Sequence, residues 1–145
     1  MPYVDPREAL NALSVELDVE IARRGDAPWR VELVADPVVR MVLLGFPPGF
    51  ATVPHLHPHA VELFQVLSGR LGFRLDGEPE QVVGAGTLLL ARVGQTHGLR
   101  VIGDQPLVFA ATVAPNQDVQ DEAIDQPALW PDWPSETSST GQLRR

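Results

Sequence analysis

Apolar and polar positions alternate over short runs through most of this chain, and the runs are too brief for long helices. From Trp29 onward, β-branched and apolar stretches recur at residues 29–34, 38–45, 61–68, 70–75, 81–83, 87–91, 96–102 and 106–113. Turn residues separate them: Ala35-Asp36-Pro37, Phe46-Pro47-Pro48-Gly49, Gly69, Asp76-Gly77, Gly84 and Gly86, Gly94, and Gly103-Asp104. Many short strands at close, even spacing predict an all-β sandwich or barrel. No internal repeat is visible, so the pattern describes one barrel over residues 29–115.

Residues 1–28 read as an extension in front of that barrel. Asp5 and Pro6 suit the cap and first position of a helix, with Ala9, Leu10 and Leu13 on one face as far as Ser14. Over 15–21, Val15, Leu17, Val19 and Ile21 alternate with Glu16, Asp18 and Glu20. Period two predicts a strand there, with a continued helix as the alternative. Behind the barrel, residues 116–134 form a second extension. It offers a helical turn at 118–125 and an apolar group, Ala128-Leu129-Trp130, to pack on the barrel. Residues 135–145 are polar and are expected to be a disordered tail.

Composition narrows the chemistry. With 44% apolar residues, 145 residues can bury one ordinary core. No apolar run nears the ~20 residues of a membrane span, and the start lacks the basic and apolar regions of a signal peptide. The expectation is a cytoplasmic protein with no membrane partner. Nineteen acidic against 11 basic residues give a net charge of −8, which repels nucleic acid and argues against it as a partner. The absence of cysteine excludes disulfides, zinc ribbons and thiol nucleophiles. All 11 basic residues are arginine, so no lysine is present for a Schiff base or a P-loop. Before the tail the serines are Ser14 and Ser68, and neither lies in a G-x-S-x-G turn. Histidine and carboxylate chemistry remains.

Three of the four histidines fall in Pro54-His55-Leu56-His57-Pro58-His59. In a strand, His55 and His57 project to one face and can converge on one ion. Between Pro37 and Ala114 the acidic residues are Glu62, Asp76, Glu78, Glu80 and Asp104, and all but Glu62 fall in turns. Glu62 lies inside the apolar run 61–67, on the face of Phe64 and Val66. A carboxylate buried there without a partner would cost several kcal/mol, which a cation would offset. The alternative puts Glu62 outward and Leu63 and Leu67 inward. His97 begins another strand, where a single histidine is more often structural than a ligand.

These residues complete a pattern. Gly49-x5-His55-x-His57-x4-Glu62-x6-Gly69 resembles the first cupin motif, and Gly86-x5-Arg92-x-Gly94-x2-His97 resembles the second. Arg92 stands at the usual proline position and Val101 at the usual asparagine position, neither of which supplies a metal ligand. The resemblance implies a cupin jelly-roll β-barrel with a short N-terminal helix and a C-terminal extension. It also implies that His55, His57, Glu62 and His97 point inward to bind one divalent metal ion with open coordination positions, and that the protein pairs as a homodimer.

Three imidazoles and a carboxylate suit Fe, Mn, Ni, Co, Cu or Zn better than Ca or Mg. They leave the ion a net charge of about +1, which favours an anionic or enolised ligand. His59, beside Pro58, is expected to be exposed or to stand behind the ligands. Arg92 is expected to be a solvated turn residue, with contact to a substrate carboxylate as the alternative. Phe64, Val66, Phe73, Leu99, Val101 and Phe109 share the inward parity and fill the core or wall a pocket. The expected function is a metal-dependent enzyme acting on a small organic molecule. A dioxygenase is its most specific form, and an isomerase or lyase is compatible with the same ligands. The alternative is a non-catalytic cupin, either a small-ligand or metal sensor or a barrel with a structural ion.

Overall fold

The structure, a computed structural model, describes residue 10, residues 14–116, the backbone of 126–127, and residues 130 and 132–133. The expected helix over 6–14 falls almost wholly outside the described residues, as do the expected turn at 118–125 and the tail at 135–145.

Ten strands and one short helix are present among the described residues. The strands are β1 (Trp29–Ala35), β2 (Arg40–Phe46), β3 (His55–Leu56), β4 (Val61–Ser68), β5 (Arg70–Leu75), β6 (Gln81–Gly84), β7 (Leu88–Ala91), β8 (His97–Val101), β9 (Leu107–Ala114) and β10 (Gln126–Pro127). They form two five-stranded antiparallel sheets in the orders β1-β2-β9-β4-β7 and β10-β3-β8-β5-β6. The sheets face one another over the main core. Val42, Leu44, Phe64, Val66, Phe109 and Ala111 come from the first sheet, and Leu71, Phe73, Leu99 and Val101 from the second. Strand β4 shows the alternation in its burial: Glu62, Phe64 and Val66 are buried, whereas Gln65 and Ser68 are exposed. Among the described residues no helix is long and apolar enough to cross a membrane.

Residues 15–21 correct the strand expectation. They contribute to a helix, α1 (Leu17–Ala22). Leu17 and Ile21, four apart, pack with Val15 onto the outer face of the first sheet, against the cluster of Trp29, Val31, Leu33, Leu43, Val108 and Ala110. Glu20 is ion-paired with Arg23 at 3.2 Å and Arg24 at 3.1 Å, at helical spacings. Val19, which the alternation had placed inward, is exposed. The apolar outer face of β1 and β2 selects the helix, because i,i+4 pairs cover it and a lone strand would not.

That cover makes both faces of β1 interior. Trp29, Val31 and Leu33 face α1, while Arg30 and Glu32 lie opposite Leu44 and Val42 and share their inward face. Glu32 is fully buried, with its Oε1 2.7 Å from Arg30 Nη2 and 2.9 Å from Arg40 Nη2. The outer packing is tight at Gly45, which pairs with Trp29 across the β1–β2 ladder. A Cβ at Gly45 would stand 2.6 Å from Trp29 Nε1 and 2.8 Å from Cζ2. Gly45→Ala is therefore expected to destabilise the fold by about 1–3 kcal/mol through overpacking. An unchanged midpoint in urea unfolding would show that Trp29 can move aside.

Candidate metal centre

The two sheets deliver their chemistry to one point. Glu62 projects inward from β4 in the first sheet, paired in register with Ala91 on one side and Val113 on the other. His55 in β3 and His97 in β8 stand directly opposite each other in the second sheet. His57 follows β3 by one residue and is held where Gly94 N–H donates to its carbonyl at 2.9 Å. One donor atom from each of His55, His57, Glu62 and His97 lies within 4.8 Å of the others. His57, Glu62 and His97 are buried and His55 is half-buried.

Backbone carbonyls orient two of the rings. His55 Nδ1 is 2.8 Å from the Val53 carbonyl, and His97 Nδ1 is 3.1 Å from the Gln95 carbonyl. A carbonyl only accepts, so each Nδ1 carries a proton, and in the neutral ring each Nε2 then presents a lone pair. His97 Nε2 nevertheless lies 3.1 Å from Glu62 Oε1, which also stands 2.8 Å from His57 Nε2. An imidazole lone pair and a carboxylate oxygen at that distance repel unless a proton or a cation joins them.

The donor set fits a first-row transition ion. Bonds of about 2.0–2.2 Å place ligand atoms on such an ion at most ~4.4 Å apart, so the widest-spaced donors, within 4.8 Å of one another, would draw together to share it. These four residues can hold a metal ion; the donors do not select which one.

The remaining expected residues fall into place around this cluster. Phe64 lies edge-on to His97 with ring centroids 5.5 Å apart, and it packs in turn on Phe73 at 5.3 Å. Leu99, Phe109, Val66 and Val101 are core residues. His59 and Arg92 are exposed in turns and outside the cluster. The backbone N–H of Arg92 donates to Gln95 Oε1 at 3.0 Å, so a side-chain amide braces the turn where a proline is usual.

Sequence reasoning missed the Arg30–Glu32–Arg40 triad. Arg40, Val113 and Glu62 lie in one register row across β2, β9 and β4, which puts Arg40 two strands, about 10 Å, from Glu62. Alternation in β1 hid this arrangement, because charged residues opposite apolar ones read as a solvent face.

Residues 42–113 match the family described as the cupin domain. No curated protein matches the sequence. Among solved structures, the fold is similar to an uncharacterized conserved protein with a double-stranded β-helix domain from Klebsiella pneumoniae subsp. pneumoniae MGH 78578. The TM-score is 0.67 at 23% identity, covering 83% of this chain and 100% of that one. KdgF from Halomonas sp. is similar with a TM-score of 0.58 at 21% identity, covering 63% of this chain and 83% of that one. The DMSP lyase DddQ from Ruegeria pomeroyi DSS-3 gives a TM-score of 0.55 at 22% identity, covering 66% of this chain and 50% of that one. At such identities the likeness concerns the fold. The match over residues 42–113 shows that the chain belongs to the cupin domain family, and the two facing antiparallel sheets agree with it.

Proposed function

We propose that this cupin is a metal-dependent enzyme acting on a small organic molecule with an anionic or enolisable head, and that oxygen-dependent cleavage is its most specific form. The observation that carries the reading is a recess of about 330 Å³ lined by Phe73, Leu75, Pro79, Leu88, Leu89 and Leu90, with Glu78 and Gln81 at its polar side. Leu75 is the register partner of His97, whereas Leu88 and Leu90 face outward and form the exposed rim. The recess thus neighbours the strand that supplies His97 and opens to solvent beside β7. Its volume is at the lower end of small-molecule sites. An ion that only braced the barrel would need no such neighbour.

In this reading the three histidines and Glu62 hold an ion that supplies Lewis-acid or oxygen chemistry. The apolar wall seats the body of the substrate, and Phe64 and Phe73 keep water from the buried side of the site. The lyase among the structural relatives supports catalysis on this frame by analogy, without fixing the reaction.

Azide, or a small enolisable diketone, is expected to perturb the visible spectrum of cobalt- or iron-loaded protein. Oxygen uptake by the iron-loaded protein over diketones, catechols and flavonols should exceed that of a His57→Ala control for at least one class. A spectrum indifferent to every small ligand, together with a melting temperature that collapses on metal removal, would instead favour a structural ion.

A further inference from the structure

Strand β3 has only two residues, yet it carries His55 and leads to His57. Its bond to β8 rests on the single pair His55↔His97. Its other edge is covered by β10, where Gln126 pairs with Leu56 and Pro127 pairs with His55. A segment more than 10 residues beyond the last barrel strand therefore completes the ladder beside a candidate ligand.

The same segment grips the back of this sheet. Trp130 and Trp133 are buried, meet edge to face at 5.4 Å, and form a small cluster with Ala51. Trp133 Nε1 donates to the Thr52 carbonyl at 2.9 Å. Thr52 is in turn fixed to Leu99, with N–H to carbonyl at 2.9 Å and Leu99 N–H to Thr52 Oγ1 at 3.0 Å. Gly98, adjacent to His97, leaves room for both indoles: a Cβ there would stand 3.1 Å from Trp130 Cζ3 and 3.4 Å from Trp133 Cζ2.

Two arginines of the outer face of the second sheet complete the grip. Arg74 lies 4.4 Å over the Trp130 ring and donates to both Asp132 carboxylate oxygens, at 2.9 and 3.0 Å. Hydrogen bonding from Arg74 also holds the Asp132 carboxyl below the usual carboxylate range. Arg100, held by Glu80 through two hydrogen bonds of 2.6 Å, lies 5.6 Å over Trp133.

We infer that the strand β10 together with Trp130, Asp132 and Trp133 is a clasp that positions His55, with Trp133 as the positioning residue. The inference rests on the metal-centre reading and adds a control point to it. Glu62 ties His57 and His97 together from inside the barrel. His55 stands in register between Pro127 on one side and His97 on the other, so the clasp segment fixes one edge of the strand that carries it. The clasp cluster is separate from the main core between the sheets, so loosening it should move β3 and leave the barrel folded.

The test is cobalt titration of the full chain, followed by the visible spectrum, alongside melting of the metal-free protein. Trp133→Phe keeps an aromatic ring and removes the donor to Thr52. It is expected to weaken cobalt binding about tenfold, the lower bound for groups that orient ligands, with little change in metal-free melting. Combined with His55→Ala it should add no further loss, since the clasp acts through that residue.

Wild-type affinity in Trp133→Phe would overturn the clasp, as would a tenfold loss that persists without His55. A metal-free melting temperature that falls in step with affinity would also overturn it, by making Trp133 a general stabiliser. If Trp133→Phe does not fold, Asp132→Asn releases the segment from Arg74 and is held to the same outcomes. Failure of the wild-type chain to bind cobalt would overturn the metal reading and the clasp together, whereas failure of the variants alone would overturn only the clasp.

Discussion

His57→Ala is expected to leave the purified protein nearly free of transition metal, whereas His59→Ala should leave its metal content unchanged. His57 is only 4% exposed, and its Nε2 stands 2.8 Å from the Glu62 carboxylate at the centre of the cluster. Water cannot replace it well in a buried site, because alanine leaves an apolar gap where the ion needs a donor. Loss of an imidazole should exceed the roughly 10–100-fold effect of removing a group behind the ligands. His97→Ala should behave alike, since its Nε2 meets the same Glu62 oxygen. His59 lies two residues from His57 in sequence but is exposed beyond Pro58, which makes it a stringent control. Elemental analysis of protein purified without chelator measures all three. Full occupancy in the His57 variant would reject the site as drawn.

Glu32→Gln should destabilise the fold by about 3–5 kcal/mol, the usual effect of removing one partner from a buried ion pair. Glu32 Oε1 is shared by Arg30 and Arg40, and all three side chains are nearly inaccessible to solvent. Glutamine keeps the volume and loses the charge, which leaves two guanidinium groups facing each other inside the barrel. Chemical unfolding of the metal-free protein reads the effect without interference from the ion. A change below 1 kcal/mol, the range typical of exposed pairs, would mean that water or a rearranged neighbour replaces the carboxylate.

These two sites differ in how far the sequence exposed them. The motif spacing singled out His55, His57, Glu62 and His97 before any fold was known, and the structure brings those four side chains together. Strands 61–68 and 70–75 were legible to the residue, because Gly69 alone separates them and β-branched and aromatic residues fill both. The other central strands lie within two residues of their expected ends, except β3, which no expected run included. Their boundaries depended on local turn residues, which a sequence displays directly.

What escaped was set by distant packing. Glu16, Asp18 and Glu20 alternate with apolar residues as in a strand, yet the outer face of β1 and β2 made a helix the better cover. Arg30 and Glu32 alternate with apolar residues in β1, and their burial follows only from the cover that α1 gives the other face of the strand. Pairing of β10 with β3 depends on residues about 70 positions apart, and nothing local to Gln126 announces it.

The division of the donors between the sheets has a mechanical consequence. Glu62 belongs to one sheet and His55 and His97 to the other, and 35 positions separate Glu62 from His97. An ion bound by all of them would act as a rivet through the sandwich, closing chain loops that otherwise open independently. In a chain with no cysteine it would be a reversible cross-link, made by loading and undone by chelation. Exposing the core between the sheets requires them to separate, and that would then require the rivet to be drawn first.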